Sequence, residues 1–566
     1  MGQTVLSSPV VQDERAGHDS FLRPLDKLLI IIFGCSLLLT GLGMRTLTRH
    51  EVLAAYPAKE MLLYGHWIVP MYAGIPRTAK PPGMNWIIAG VMELFRSESE
   101  FVVRLPSALA GVATALMMAS FAAKHYGRRI GIISGLMVLT SAYVLIQARL
   151  AESDMLLTAL VSAAMLIFAS GPVHEAEDPS AAPKKFREQI LAWRPIAFYL
   201  LAGLTFLLKG FVGPAFILLG TITYTAIQRD RRAAYFLLNP LGILFFLDLV
   251  AVWPVMAYLK YPAILESWRF EQLGRLTGER GSDPFYFYLY SIPGSLLPWT
   301  PLMIIGVWIA LKTGRHRRPL NRFFICWFVP GVILLSLSSF KHQHYAFPLL
   351  PPLAILGAVG LLQYIDYQHR KTTPLLWPAV LMLLLVALAI TIAGFYIKLI
   401  RPILPVIVVM MGLLFFGGFA ALYAEYKRAA NRQLFYIFLT AWGMIIFVLI
   451  GIVPAFDDYK LDAELARAAS NRVPEGQTVY IIDPEPKVEP HSAWYLRQPI
   501  RRFRDVNDFL ANVPAGAGQT VYVITNTSQS NAMAQRGIVE TLLRCKTNPV
   551  TSKTRDLILV SYVPKL

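Results

Sequence analysis

His50 and Glu51 open a polar stretch, RHEVLAAYPAKEMLLYGHWIVPMYAGIPRTAKPP (residues 49–82), held between two strongly apolar segments, 28–44 and 105–123. An imidazole or carboxylate at the outer mouth of a membrane span can take a proton from an acceptor hydroxyl or amine, given a pKa near the working pH. The plainer role for Glu51 is an ion pair with Arg49 or Lys80. Asp154, in ARLAESDM, is the second carboxylate, with Glu152 two residues before it. If that segment is extended, at most one of the two need face the cavity. Asp154 also fits a helix N-cap, because Ser153 and Asp154 precede an apolar run.

Cations accompany these acids. Lys80 precedes Pro81–Pro82, which hold it on a stiff, extended backbone. Arg275, Lys209 and Lys341 are further outer-face cations, and several cations near carboxylates at a membrane surface suit a phosphate-bearing ligand. The alternative is headgroup snorkelling. Tyr345 could hydrogen-bond a phosphate or sugar, or belong to an interfacial aromatic belt. No zinc-type, Walker or dinucleotide motif stands in useful context, and Lys209–Gly210 lies between two spans and is no P-loop.

The elements that must position these residues are membrane helices. Hydrophobic residues make up 55% of the 566-residue chain and charged residues 16%, with a mean hydropathy of +0.50. Apolar runs of about 20 residues recur along most of the length, each long enough to cross the hydrocarbon. The net charge of +18 does not indicate nucleic acid, because the basic residues form short clusters between apolar runs, as the positive-inside rule predicts. Cys35, Cys326 and Cys545 offer neither a disulfide framework nor metal-ligand spacing. The first apolar segment reads as a retained anchor, since polar residues precede it and no small-residue cleavage site follows.

Placing the basic clusters inside gives about 13 spans: 28–44, 105–123, 130–146, 155–169, 195–208, 211–227, 235–258, 286–311, 323–340, 346–364, 374–397, 403–423 and 435–453. Four charged segments, 49–82, 147–154, 260–284 and 341–345, then fall on the outer face, and ionisable groups converging at one membrane rim are functional candidates. After residue 453 the pattern changes. TVYIID (478–483), TVYVIT (520–525) and DLILVSYV (556–563) read as strands, with helices over 505–511 and 530–543, which predicts a small α/β domain. The expected organisation is a cytoplasmic tail over 1–27, a membrane domain over 28–453 with its first outer loop at 45–104, and an outer α/β domain over 454–566.

Taken together, HEVLAAYPAKEML, YGHWIVPMYAGIPRTAKPP, RLPSALAG, ARLAESDMLL, LLKGFVGPA, RFEQLGRLTG, SLLPWTPL and SSFKHQHYAFPLLPP resemble, in order and spacing, the GT-C glycosyltransferases of the bacterial aminoarabinose transferase and protein O-mannosyltransferase group. The resemblance covers roughly residues 28–360. It implies transfer of a sugar from a polyprenyl-phosphate donor, without a nucleotide, at the outer face of the membrane and usually with inversion. The family's first loop ordinarily carries an Asp–Glu pair; here the aligned pair is His50–Glu51, so either Glu51 takes over as base or His50 serves with its pKa tuned by Glu51. Asp154 matches the second acidic position, Lys80 the donor-phosphate lysine, and Lys341 with Tyr345 the later phosphate-proximal motif. Ala79 stands where some relatives carry an acid, so no metal site is carried over; no cofactor is certain, and a divalent metal is left open.

The expected partners are a polyprenyl-phosphate sugar, an acceptor that is a lipid, glycan or protein, and membrane lipids, but no nucleic acid. The expected location is the inner (plasma) membrane of a bacterium, multi-pass, with the site and the C-terminal domain on the periplasmic side. The alternatives are a transporter or flippase of a lipid-linked glycan, for which Asp248 and Lys209 speak, and a non-catalytic relative that binds lipid-linked sugar.

Overall fold

The computed structural model describes residues 21–176, 190–266, 268–269, 283–312, 319–370, 404–453, 457, 460–482, 493–512, 519–545 and 556–564. The first helix, α1 (Pro24–Leu39), starts on a proline, whose missing N–H costs nothing in the first turn. The stretch expected to be an outer loop is largely helical. Thr48 caps α2 (Arg49–Tyr64), which ends at Gly65 in the left-handed conformation, φ 74°. A two-residue hairpin follows, β1 (Met71–Tyr72) against β2 (Ile75–Pro76), and then α3 (Gly83–Phe95). The apolar residues of α2, among them Val52, Ala55, Ala58 and Met61, are buried, and Glu51 and Glu60 are buried with them.

The 27-residue α4 (Glu100–Tyr126) and α5 (Arg128–Thr140) form a close helix pair. A side chain at Gly131 would come within 2.5 Å of the Ala123 Cβ and 2.6 Å of the Ala119 carbonyl oxygen. Small residues let two backbones meet where lipid supplies no hydrophobic drive. Short α6 (Ala142–Gln147) leads to α7 (Ser153–Phe168), continued by a π turn, Ala169–Val173. Next come α8 (Trp193–Lys209), α9 (Val212–Gln228), α10 (Arg231–Leu237) and α11 (Pro240–Lys260). The expected span 286–311 is instead two helices, α12 (Phe287–Ser295) and α13 (Thr300–Lys312). Pro293 lies just before the break and Pro298 within it.

α14 (Pro319–Leu337) precedes a 3-10 turn, Gln343–Leu349, and α15 (Pro351–Arg370), which together are bent by 68°. α16 (Leu404–Tyr426) and α17 (Ala430–Phe447) complete the bundle. Among the described residues six helices are long and apolar enough to cross a membrane, seven with the bent pair. The expected span 374–397 lies outside the described residues. Leu244, Leu247, Val255 and Leu259 of α11 are exposed, as a lipid-facing surface requires.

Beyond α18 (Lys460–Arg472) a five-stranded sheet has the order β4-β3-β5-β7-β6. Its strands are β3 (Val479–Ile482), β4 (Ile500–Phe503), β5 (Val521–Thr525), β6 (Gly537–Arg544) and β7 (Ile558–Pro564), with α19 (Val506–Asn512) and α20 (Thr527–Ala534) between them. β3 runs parallel to β4 and β5, while β7 is antiparallel to β5 and β6. Tyr480, Phe503, Phe509, Val523 and Val560 form its core. The expected helix over 530–543 is corrected: it ends at Ala534, and Gly537–Arg544 is a strand paired antiparallel with β7.

Candidate active site

Thr48 and Glu51 cap α2 reciprocally. The Glu51 N–H donates to the Thr48 hydroxyl (3.3 Å) and the Thr48 N–H to the Glu51 carboxylate (2.7 Å). This is the Ser/Thr-x-x-Glu box. The same carboxylate takes Arg104 Nε at 2.6 Å, Arg104 Nη2 at 3.0 Å and the Ala151 N–H at 2.9 Å. Glu51 is wholly buried. Burial alone would raise its pKa; the guanidinium of Arg104, then the N–H groups of Thr48 and Ala151, hold it below the ordinary range. A carboxylate accepting four hydrogen bonds is a poor proton acceptor, so the geometry gives Glu51 a fastening role in place of the expected base. It ties α2 to α4 and to the outer segment before α7. Arg104 extends the fastening by donating to the carbonyls of Leu42, Arg45 and Thr46 at 2.8–2.9 Å.

His50, next in the chain, is exposed. Desolvation within the cleft, followed by the charges of Lys80, Arg49, His342 and Arg77, lowers its pKa from 6.5. It is therefore mostly neutral at pH 7 and able to accept a proton.

Across the cleft, the Asp154 carboxylate in the first turn of α7 is bonded to the ammonium of Lys209 at the end of α8. Asp154 is 2% exposed and Lys209 8%. The Lys209 ammonium lies 4.8 Å from the centre of the Tyr345 ring. Asp154 was expected as a catalytic carboxylate and Lys209 as a substrate-binding cation; the structure pairs the two beside Tyr345. Lys341 was also expected to bind substrate. Its ammonium donates to the backbone carbonyls of Asp283 (3.0 Å) and Ser338, so it braces its own turn. Arg275 lies outside the described residues.

Lys80 reaches solvent at the cleft while protein surrounds its stem. That desolvation, then the like charge of Lys209, brings its pKa down to about 8, against the pull of Asp154 and Glu152. Close packing puts it there. A side chain on Gly83 would meet the Leu207 carbonyl oxygen at 2.5 Å, so the turn after Pro81–Pro82 sits directly on the end of α8. Below it, Gly83, Trp86, Ile87, Leu156, Leu160 and Leu208 help to line an apolar groove of about 350 Å³.

Other members of the cluster were not among the expected site residues, although Glu152 was weighed beside Asp154. Glu152 faces the same cluster as Asp154; burial and the Asp154 charge raise its pKa to about 7, and Gln147 Nε2 donates to it at 2.9 Å. The His342 and His344 rings stack at 5.2 Å, and each touches Tyr345. The signal for these was the density of titratable groups in KHQHY. For Arg104 it was a lone arginine in an apolar span. Among the described residues no group of three or more His, Cys, Asp or Glu is placed to hold a metal ion.

A model of the dolichyl-phosphate-mannose-protein mannosyltransferase family matches residues 79–258. The undecaprenyl phosphate-alpha-4-amino-4-deoxy-L-arabinose arabinosyl transferase 1 of Pseudomonas fluorescens is 28% identical over 340 residues, 58% of either chain. The corresponding transferase of Edwardsiella ictaluri is 29% identical over 321 residues, 56% of this chain and 55% of that one. The chain thus aligns with somewhat over half the length of these relatives. In structure it is similar to ArnT from Cupriavidus metallidurans bound to undecaprenyl phosphate, with a TM-score of 0.74 at 19% identity over 94% of this chain and 97% of that one. The apo form gives 0.72 at 20% identity over the same shares. That likeness shows the fold.

Proposed function

We propose that this chain, a GT-C protein of the ArnT type, transfers a sugar from a polyprenyl-phosphate donor to an acceptor at the outer face of a bacterial inner membrane. One observation carries the reading: a partly desolvated cation, Lys80, is joined through Pro81–Pro82 to Gly83, which lines the apolar groove between α3, α4, α7 and α8. A phosphodiester headgroup, joining an isoprenoid tail to a sugar, matches that pairing, with the phosphate on Lys80 and the tail in the groove. The undecaprenyl-phosphate aminoarabinose named for the relatives is the donor to try first. The acceptor is a lipid, glycan or protein.

In the transfer, an acceptor oxygen or nitrogen forms a bond to the anomeric carbon. The bond from that carbon to the phosphate oxygen breaks, and its electron pair leaves with polyprenyl phosphate. Lys80, supported by the field of the Asp154–Lys209 pair and Tyr345, stabilises the charge gathering on the leaving phosphate. His50 takes the acceptor proton. Glu51 and Arg104 hold His50 in place and take no proton. Glu152, poised near neutrality, is the second reading for the base, favoured by its pKa of about 7.

The transporter alternative leans on Asp248 and Lys209. Lys209 is the last residue of α8 and is paired with Asp154, a rim position that fits a surface site better than a translocation path. The test is release of polyprenyl phosphate from a labelled donor by protein in liposomes. Release that depends on acceptor and is lost in Lys80→Met supports transferase action, whereas movement of intact donor between leaflets without release would support the transporter.

A further inference from the structure

The C-terminal domain holds the chain that leads directly into His50. The Thr46 N–H donates to the Asp457 carboxylate at 2.8 Å, and the Thr46 hydroxyl contacts both its oxygens at 2.8 and 2.9 Å. The Leu47 N–H donates to the Tyr495 hydroxyl at 2.9 Å, and that hydroxyl donates to Glu100 at 3.0 Å. Arg467 of α18 pairs with Glu100 at 2.9 Å and lies 4.5 Å from the Tyr495 ring centre. Thr46, Leu47 and Asp457 are buried, so these bonds are shielded from competing water.

On the opposite side, Arg104 draws in the carbonyls of Arg45 and Thr46. Residues 45–47 are thus fixed from two sides, and the next residue is Thr48, the cap of α2. Both anchors of this grip, Glu100 and Arg104, lie one turn apart on α4. The bonds therefore connect the C-terminal domain to the α2 terminus.

We infer that Asp457 and Tyr495 are positioning residues for His50: they lock Thr46–Leu47, and through it the first turn of α2, in the geometry that aims the imidazole at the acceptor. This rests on the reading of His50 as proton acceptor. It assigns the C-terminal domain a part in the chemical step, exerted through the backbone. Loosening the lock misaims His50 without touching Lys80 or the apolar groove, so the chemical step suffers and donor binding does not.

The experiment uses the full-length protein in liposomes, comparing wild type with Asp457→Asn, Tyr495→Phe, Thr46→Val and the Asp457→Asn/Thr46→Val double variant. Turnover, donor affinity, Tm and amide hydrogen exchange over residues 46–52 are measured for each. The expected result is a roughly tenfold or greater fall in kcat, donor affinity within about twofold of wild type, and faster exchange over 46–52. The double variant should be no slower than Thr46→Val alone, because both changes release the same lock. The inference is overturned if Tm falls while kcat stays level, since the bonds would then be only structural. It is equally overturned if the two losses multiply or if donor affinity falls in step with kcat. Should wild type transfer no sugar, the functional reading fails by itself; exchange still decides the lock, accelerated over 46–52 if it exists and unchanged if it does not.

Discussion

Replacing Asp154 by Asn should destabilise the membrane core by about 3–5 kcal/mol, the usual effect of removing one partner of a buried ion pair. The size follows from burial, because the side chains are 3% (Asp154) and 5% (Lys209) exposed, so water cannot replace the lost carboxylate. The orphaned ammonium also faces Lys80, whose pKa of about 8 is already lowered by Lys209 and raised by Asp154. With Asp154 neutral, the Lys80 pKa should fall further unless Lys209 itself loses its proton. Donor binding at pH 7.5 should then weaken along with stability. A thiol-reactive dye reports unfolding through Cys326, which is buried in α14. The decisive comparison adds Lys209→Gln. The double variant has no uncompensated charge and should recover much of the stability lost by Asp154→Asn alone. Refutation would come from Asp154→Asn unfolding like wild type, or from losses in the double variant that simply add.

Further expectations concern pH and the capping pair. The specificity constant for donor should fall as pH rises through about 8, because Lys80 loses its charge there; Lys80→Arg should push that limb to higher pH, and an unmoved limb would exclude Lys80 as its source. On the acid side, activity should rise with pH through a pKa below 6.5 that disappears in His50→Gln, whereas a limb near 7 removed by Glu152→Gln would assign the base to Glu152. The raised pKa of Glu152 means that the fold favours its protonated form, a stabilisation present below the unfolded pKa and lost as pH rises through about 7. Glu152→Gln should therefore be more stable than wild type at pH 8 and closer to it at pH 5, measured by thermal unfolding. Glu51→Gln and Arg104→Gln should each lose roughly 3–5 kcal/mol of stability; activity per folded molecule should keep the wild-type acid limb, which a catalytic Glu51 would not allow.

Much of the bundle could be read from hydropathy, since apolar runs report directly on helices in lipid. The break between α12 and α13 was marked by its prolines but masked by an unbroken apolar run around them. The first outer segment was misjudged as a loop because charge drew attention from its helical spacing: Val52, Ala55, Ala58 and Met61 recur at three-residue intervals and are buried. The capping box T-R-H-E was visible in the sequence and already implied a structural role for Glu51. Whether Asp154, Lys209 and Lys341 were free or mutually engaged could not be read, because their partners lie 55 residues away or are backbone carbonyls. The Thr46–Asp457 contact, across 411 residues, had no local signal at all.

The most direct test measures undecaprenyl phosphate released from undecaprenyl-phosphate aminoarabinose by the reconstituted protein, with a bacterial membrane extract as acceptor, in wild type and His50→Gln. The account predicts acceptor-dependent release by wild type and a roughly 10²–10⁴-fold lower kcat in the variant, with donor affinity retained. Full-rate release by His50→Gln would contradict the assigned base. Donor bound but never cleaved by wild type, with this or other polyprenyl-phosphate sugars, would contradict the proposed transfer itself.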